Sequence, residues 1–99
     1  MIYKHFKKGY YVSDSGKVIR IRNNKKVKVD IYENKHTYLW FIIYSKAGKE
    51  KVYLHRAVAL VFIPKIKGKY IVDHKNRNRQ DNRACNLRWV NHKENMMNK

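Results

Sequence analysis

Between Val72 and Asn95 the chain reads VDHKNRNRQDNRACNLRWVNHKEN, a basic segment with an Asp-His pair, a central Asn and a terminal Asn at increasing separations. Asp73 and Asn95 carry oxygen donors of the kind that Mg²⁺, Mn²⁺ or Ca²⁺ prefers, and His74 is an imidazole able to take a proton near neutral pH. Together these groups are suited to holding a hard divalent cation beside a phosphodiester while a water is deprotonated. Asp73 and His74 are adjacent but point different ways, so one can ligate while the other acts as a base. Asn86 carries a side-chain amide that can bridge backbone groups and hold the loop beside His74, orienting rather than reacting.

The elements that must position these residues are legible around them. Tyr70 to His74 has β character and delivers Asp73 and His74 at the end of a strand. Asn76 to Asn82 is a polar loop, and Leu87 to Val90 is a second short strand. Asn91 suits a helix N-cap, with Glu94 three residues on completing a capping box. Strand, loop, strand and helix bring Asp73 close to Asn95, although 22 positions separate them. Upstream, a helix from about His55 to Phe62 ends where Pro64 disfavours helical geometry at Ile63, and Lys65 to Lys69 is a basic loop.

The first half reads as strands. Tyr10 to Val12 leads through a turn at Ser13 to Gly16 into Lys17 to Arg22. A turn over Asn23 to Lys26 precedes Val27 to Ile31, and these alternating segments predict one apolar and one charged face. Tyr38 to Tyr44 is apolar almost throughout, as in a strand buried on both faces, and Ala47 to Lys49 turns it into Lys51 to Leu54. The expected class is α+β, as one domain over residues 1–99. A small antiparallel sheet occupies about 1–54, and a helix followed by a strand-strand-helix unit occupies about 55–99.

Lys plus Arg number 24 against 7 for Asp plus Glu, a formal net charge of +17 in 99 residues. Charge of that size self-repels on so small a body and points to a polyanionic partner. Hydrophobic residues at 43% and aromatics at 13% separate the chain from disordered basic tails. A lone cysteine, Cys85, excludes an internal disulfide and a zinc site built from cysteine pairs, and indicates a reducing compartment. The apolar run Ala57 to Pro64 is too short to cross a bilayer, and MIYKHFKKGYY lacks the apolar core of a signal peptide. A cytoplasmic protein without membrane or small-molecule partners is expected.

His55-Arg56-Ala57-Val58-Ala59-Leu60-Val61-Phe62-Ile63-Pro64, Val72-Asp73-His74, Asp81-Asn82-Arg83, Asn86-Leu87-Arg88-Trp89 and Glu94-Asn95, in that order, resemble the HNH endonuclease family, specifically the phage and intron-associated homing type. The resemblance covers about half of the chain. It implies a ββα-metal motif and single-metal hydrolysis of DNA. His74 would be the general base, Asn86 a second catalytic-site residue, and Asp73 with Asn95 the ligands of Mg²⁺ or Mn²⁺. Many members carry His at the Asn95 position, so a plain polar helix residue competes with a ligand there; His92, three residues earlier on the same broad helix side, is an alternative ligand or a solvated first-turn residue, and Asn95 is favoured. Lys99 stands where a further histidine often occurs, which counts against a three-histidine site. Arg77 replaces a common Gly, implying a tighter or differently bent loop. Homing members commonly extend into a C-terminal DNA-reading module. The sequence runs only to Lys99, so target selection is expected from the N-terminal sheet, from another protein or a homodimer, or to be weak.

Plainer assignments compete at individual positions. His55 is expected to cap or pack against the Asp73 strand, and Arg56 to reach a phosphate or an acidic residue. His5 and His36 read as surface residues, Cys85 as core filler, and Trp40 and Trp89 as core aromatics. Lys17, Arg20, Arg22, Lys26 and Lys28 are expected to share one sheet face that tracks phosphates, with Arg77, Arg79, Arg83 and Arg88 around the site. Two other classes remain: a nucleic-acid-binding protein on the same scaffold without cleavage, and a ribosome- or capsid-associated structural protein. The latter gives the polar site residues no purpose.

Overall fold

The computed structural model describes residues 1–33 and 38–97; the expectation for His36 lies outside them. Strands β1 (Tyr3–Lys7), β2 (Tyr10–Ser13), β3 (Val18–Arg22) and β4 (Lys25–Lys28) form an antiparallel meander in chain order. Strands β5 (Trp40–Ser45) and β6 (Gly48–Tyr53) form a separate hairpin that runs directly into helix α1 (Leu54–Phe62). After a basic loop, β7 (Ile71–His74) pairs antiparallel with β8 (Leu87–Val90), a 3-10 turn at Ala84–Asn86 precedes β8, and helix α2 (His92–Met97) follows it. The expected α+β class and C-terminal strand-strand-helix unit are present. The first half, however, holds two sheets rather than one.

Local chemistry fixes the departures. Asn23 and Asn24 both adopt left-handed backbone angles, φ 53° and 61°, the conformation of a two-residue hairpin turn. Lys25 and Lys26 therefore belong to β4 rather than to the predicted turn, and Arg22 pairs with Lys25, Ile21 with Lys26, Arg20 with Val27 and Ile19 with Lys28. Cross-strand partners share a face and neighbours along a strand alternate. Arg20 and Arg22 thus lie on one face and Lys26 and Lys28 on the other, and Lys17 lies in the bend before β3, which corrects the expectation of a single cationic face. The apolar run of β5 predicts burial on both sides; instead Phe41 and Ile43 are buried while Tyr44 is exposed, because one side of the hairpin meets the core. β1 carries no sequence signal, its Lys- and His-rich run being an edge strand with only Phe6 packed against the core.

Helix α1 joins the two halves. Its Leu54, Ala57 and Val58 repeat with helical spacing and are buried with Tyr10, Val12, Phe41, Ile43, Val72, Leu87 and Trp89. The helix ends as expected: Ile63 is extended before Pro64 while its N–H reaches the Ala59 carbonyl. Trp89 anchors β8 to that end, its indole N–H donating to the Ile63 carbonyl at 3.1 Å. The expected capping box opens α2, the Glu94 N–H donating to Asn91 Oδ1 at 2.8 Å and the Asn91 N–H to Glu94 Oε1 at 3.2 Å. Two residues expected in the core are not there. Cys85 is exposed in the 3-10 turn, where the chain faces outward between buried Asn82 and Asn86. Trp40 is half-buried, its ring stacked 4.6 Å from Tyr32 and capped by the Lys51 ammonium at 4.6 Å. Among the described residues no helix is long and apolar enough to cross a membrane.

Candidate active site

The β7–β8 ladder places Asp73 opposite Arg88 and His74 opposite Leu87. Consecutive strand residues face opposite ways, so Asp73 stays partly exposed while the His74 ring turns inward and is 4% exposed. The His74 Nε2 lies 2.8 Å from Asn82 Oδ1, and its ring stacks 5.7 Å from Tyr38 and meets His55 at a tilt, 5.2 Å away. His55 in turn stacks on Tyr38 at 4.4 Å. His55 therefore packs against the β7 strand, as expected, and does so through His74 itself.

The loop between the strands is tied by Asn86. Its Oδ1 accepts from the Asn76 N–H at 3.2 Å, while its Nδ2 donates to Asn76 Oδ1 and to the Asp81 carbonyl, both at 2.9 Å. One buried amide thus joins both ends of the loop that returns beside His74. Arg77 holds a left-handed backbone, φ 62°, the geometry that a glycine adopts without cost, and donates its N–H to the His74 carbonyl at 2.9 Å.

Asp73 does not stand alone. Arg88 reaches its Oδ2 with Nη2 at 3.0 Å and Nε at 3.1 Å, along the cross-strand pair. Asn95 is half-buried on α2, which packs against β7, and its side chain bonds to nothing among the described residues. His92 is exposed in the first turn of α2. Among the described residues no three His, Cys, Asp or Glu side chains converge into a metal-binding group. The available donors, a carboxylate and an amide oxygen, are those of a hard cation that keeps several of its own waters, which fits Mg²⁺ or Mn²⁺.

The surrounding cations fall into distinct settings. Arg83 makes a two-pronged pair with Asp81, both contacts 2.8 Å, and this pair together with Asn76 holds the Asp81 carboxyl down at about 2. Arg56 donates to the Tyr70 carbonyl at 2.9 Å and lies 5.7 Å over the Trp89 ring, so its guanidinium is held against the protein surface. Arg79 lies 5.0 Å over the Tyr38 ring, and Arg77 is exposed on the same loop. On the meander, Arg20 lies over the Tyr10 ring.

His55 is the most perturbed group beside the site. Burial first, then the neighbouring His74 and Arg56, lowers it from 6.5 to about 3, and its Nδ1 is buried without a partner among the described residues. It is neutral in the fold, whereas the unfolded chain protonates it at its ordinary value. Stability is therefore expected to fall as pH drops from about 6.5 towards about 3, and to be unaffected by this group above that window. The loss of urea midpoint between about pH 7 and about pH 4 should be smaller in His55→Phe than in the wild type. An equal loss in both would assign the acid sensitivity elsewhere.

Sequence reasoning missed Asn82, Tyr38 and Tyr53, which complete the setting of His74 and His55. The only signal for Asn82 was its place within Asp81-Asn82-Arg83; nothing in a run of polar loop residues marks one as buried.

Comparison with known proteins agrees with this geometry. A family model described as HNH endonuclease matches residues 52–97, the span from the end of β6 through α2. The chain is 34% identical over 96 residues to DNA endonuclease I-HmuI of Bacillus phage SP01, covering 96% of this chain and 53% of that protein. It is 33% identical over 86 residues to an uncharacterized HNH endonuclease of Acanthamoeba polyphaga mimivirus, covering 87% of this chain and 25% of that one. A solved structure described as DNA binding and cleavage by the HNH homing endonuclease I-HmuI superposes with a TM-score of 0.81 at 32% identity, over 99% of this chain and 57% of that chain. The chain thus spans about half the length of I-HmuI and a quarter of the mimivirus protein. On the strength of the matched segment and the superposition, residues 52–97 of the chain belong to the HNH endonuclease family.

Proposed function

We propose that this chain is a metal-dependent DNA endonuclease that hydrolyses phosphodiester bonds with His74 as general base. The observation that carries the proposal is the placement of His74. It is a buried, hydrogen-bonded imidazole on the strand that also presents the Asp73 carboxylate, within the segment that matches the family. Asp73 and Asn95 would hold one divalent cation, Mg²⁺ or Mn²⁺. When bound, that cation supplies Lewis-acid stabilisation of the charge developing on the phosphate. His74 takes the proton of the attacking water, and Asn86 keeps the loop beside it closed.

DNA is the partner that a net charge of +17 favours, and I-HmuI, the relative aligned over 96% of this chain, is named a DNA endonuclease. Lys17, Arg20, Arg22, Lys26 and Lys28 on the N-terminal meander would track the duplex backbone from more than one face. Arg77, Arg79, Arg83 and Arg88, with Arg56 behind them, surround the site. Phosphate contacts of this kind give affinity more than sequence selection.

Supercoiled plasmid incubated with the protein is expected to become open-circular or linear in Mg²⁺ or Mn²⁺ and to remain supercoiled in EDTA, read on an agarose gel. The nicked-to-linear ratio then reports whether one strand or both are cut. A mobility shift of the DNA without conversion in either metal would replace this reading with that of a nucleic-acid-binding protein on an HNH scaffold.

A further inference from the structure

Asn82 is a buried polar residue hydrogen-bonded to His74 that the proposed mechanism leaves without a role. It lies in the loop between β7 and β8, 4% exposed among residues that are mostly solvated. The orientation of its amide follows from its two partners. The Nδ2 end faces the Arg79 carbonyl at 3.5 Å, and a carbonyl can only accept, so Oδ1 is the end that faces His74 at 2.8 Å. An amide oxygen has no proton to give. The His74 Nε2 must therefore carry the hydrogen of this bond, which leaves Nδ1 with the lone pair.

The support behind Asn82 is rigid and comes from the other half of the fold. Gly16, in the β2–β3 turn at φ 84°, lies so close that a Cβ placed there would stand 3.0 Å from the Asn82 carbonyl oxygen and 3.2 Å from its Cβ. Two residues on, the Ala84 N–H donates to the Asp14 carbonyl at 2.8 Å. One residue before, the Asp81 carbonyl is held by Asn86. Asn82 is thus clamped on one side by the N-terminal meander and on the other by the amide that closes the catalytic loop.

We propose that Asn82 is a positioning residue that fixes His74 as its Nε2–H tautomer, so that Nδ1 is the atom that takes the proton from water, and that the β2–β3 turn holds Asn82 in place. The inference rests on His74 being the base. A free imidazole samples both tautomers and many orientations; a fixed hydrogen bond to one nitrogen removes that freedom before substrate arrives.

The test is nitrogen-proton correlation NMR of imidazole-labelled, metal-free protein at mildly alkaline pH, beside plasmid cleavage and DNA affinity for the same samples. Wild type is expected to show His74 with Nε2 protonated. Asn82→Ala should show a mixed population, with cleavage reduced about 10–100-fold and DNA affinity retained. Asn82→Asp, which presents an accepting oxygen at the same place, should restore the Nε2–H form and most of the cleavage. Wild-type His74 protonated on Nδ1 would overturn the proposal and needs no variant to fold. So would an Asn82→Ala protein with an unchanged tautomer, or one with a mixed tautomer and undiminished cleavage. If instead His74→Ala cleaves like the wild type, the base assignment itself fails, and that result is separable because the tautomer is read without activity.

Discussion

His74→Ala is expected to lose about 10²–10⁴-fold in DNA cleavage while retaining DNA binding, the usual contribution of a positioned general base. The separation follows from where the ring sits. His74 is enclosed by Tyr38, His55 and Asn82, none of which is among the clustered surface cations, so removing it takes away the proton acceptor without touching the phosphate-facing charge. The substitution has a structural cost as well. It strips Asn82 Oδ1 of its partner in a buried site, at about 1–3 kcal/mol, and leaves a void beside two rings. Thermal unfolding must therefore accompany the kinetics. A variant that is folded at the assay temperature, shifts DNA like the wild type and fails to cut identifies the ring with the chemistry. A folded variant that cuts at the wild-type rate would remove His74 from the mechanism, and with it the reason for its close packing.

The parts of this molecule that were legible in its sequence are those written in short-range chemistry. Pro64 ends α1, Asn91 and Glu94 cap α2, and the alternation in Tyr70 to His74 and Leu87 to Val90 gives the strand pair; each depends on residues within a few positions of one another. The face assignment of the N-terminal cations failed for the same reason turned round. Arg22 pairs with Lys25 and Arg20 with Val27, so period two along β4 sends Lys26 and Lys28 to the face away from Arg20 and Arg22, a relation between strands that alternation within each strand does not give. The Asp-His pair and Asn86 were visible because they stand in ordered succession with the Asn-Leu-Arg-Trp string and Asn95; an Asp-His dipeptide alone belongs more often to a turn. Asn82 was not, because it differs from its polar neighbours only in being buried, and that burial depends on Gly16, 66 positions earlier. The Asp73–Arg88 pair was equally hidden: Arg88 reads as one more cation until the register places it across from Asp73.

That ion pair makes the second large prediction. Asp73→Ala is expected to abolish detectable Mn²⁺ binding, followed by the electron paramagnetic signal of free Mn²⁺, and to lower cleavage by on the order of 10²–10³-fold. This is the rate equivalent of losing several kcal/mol of charge stabilisation at the phosphate. Folding should change by only about 1 kcal/mol, because the Arg88 side chain is 44% exposed, although Asp73 at 17% is more enclosed. The matching substitution separates ligand from counter-ion. In the resting protein Arg88 holds Asp73 Oδ2 and neutralises the carboxylate, so the guanidinium opposes a cation arriving at the same group. Arg88→Ala should therefore bind Mn²⁺ at least as tightly as the wild type, while Asp73→Ala should not bind it at all. If the two variants weakened Mn²⁺ binding equally, Asp73 would be acting through the ion pair, as a structural partner of β8, and the carboxylate that holds the cation would have to be another. If Asp73→Ala alone lost the metal, the strand that positions the base would also be the strand that positions the cation. The two adjacent side chains Asp73 and His74 would then divide the work by facing opposite sides of one short ladder.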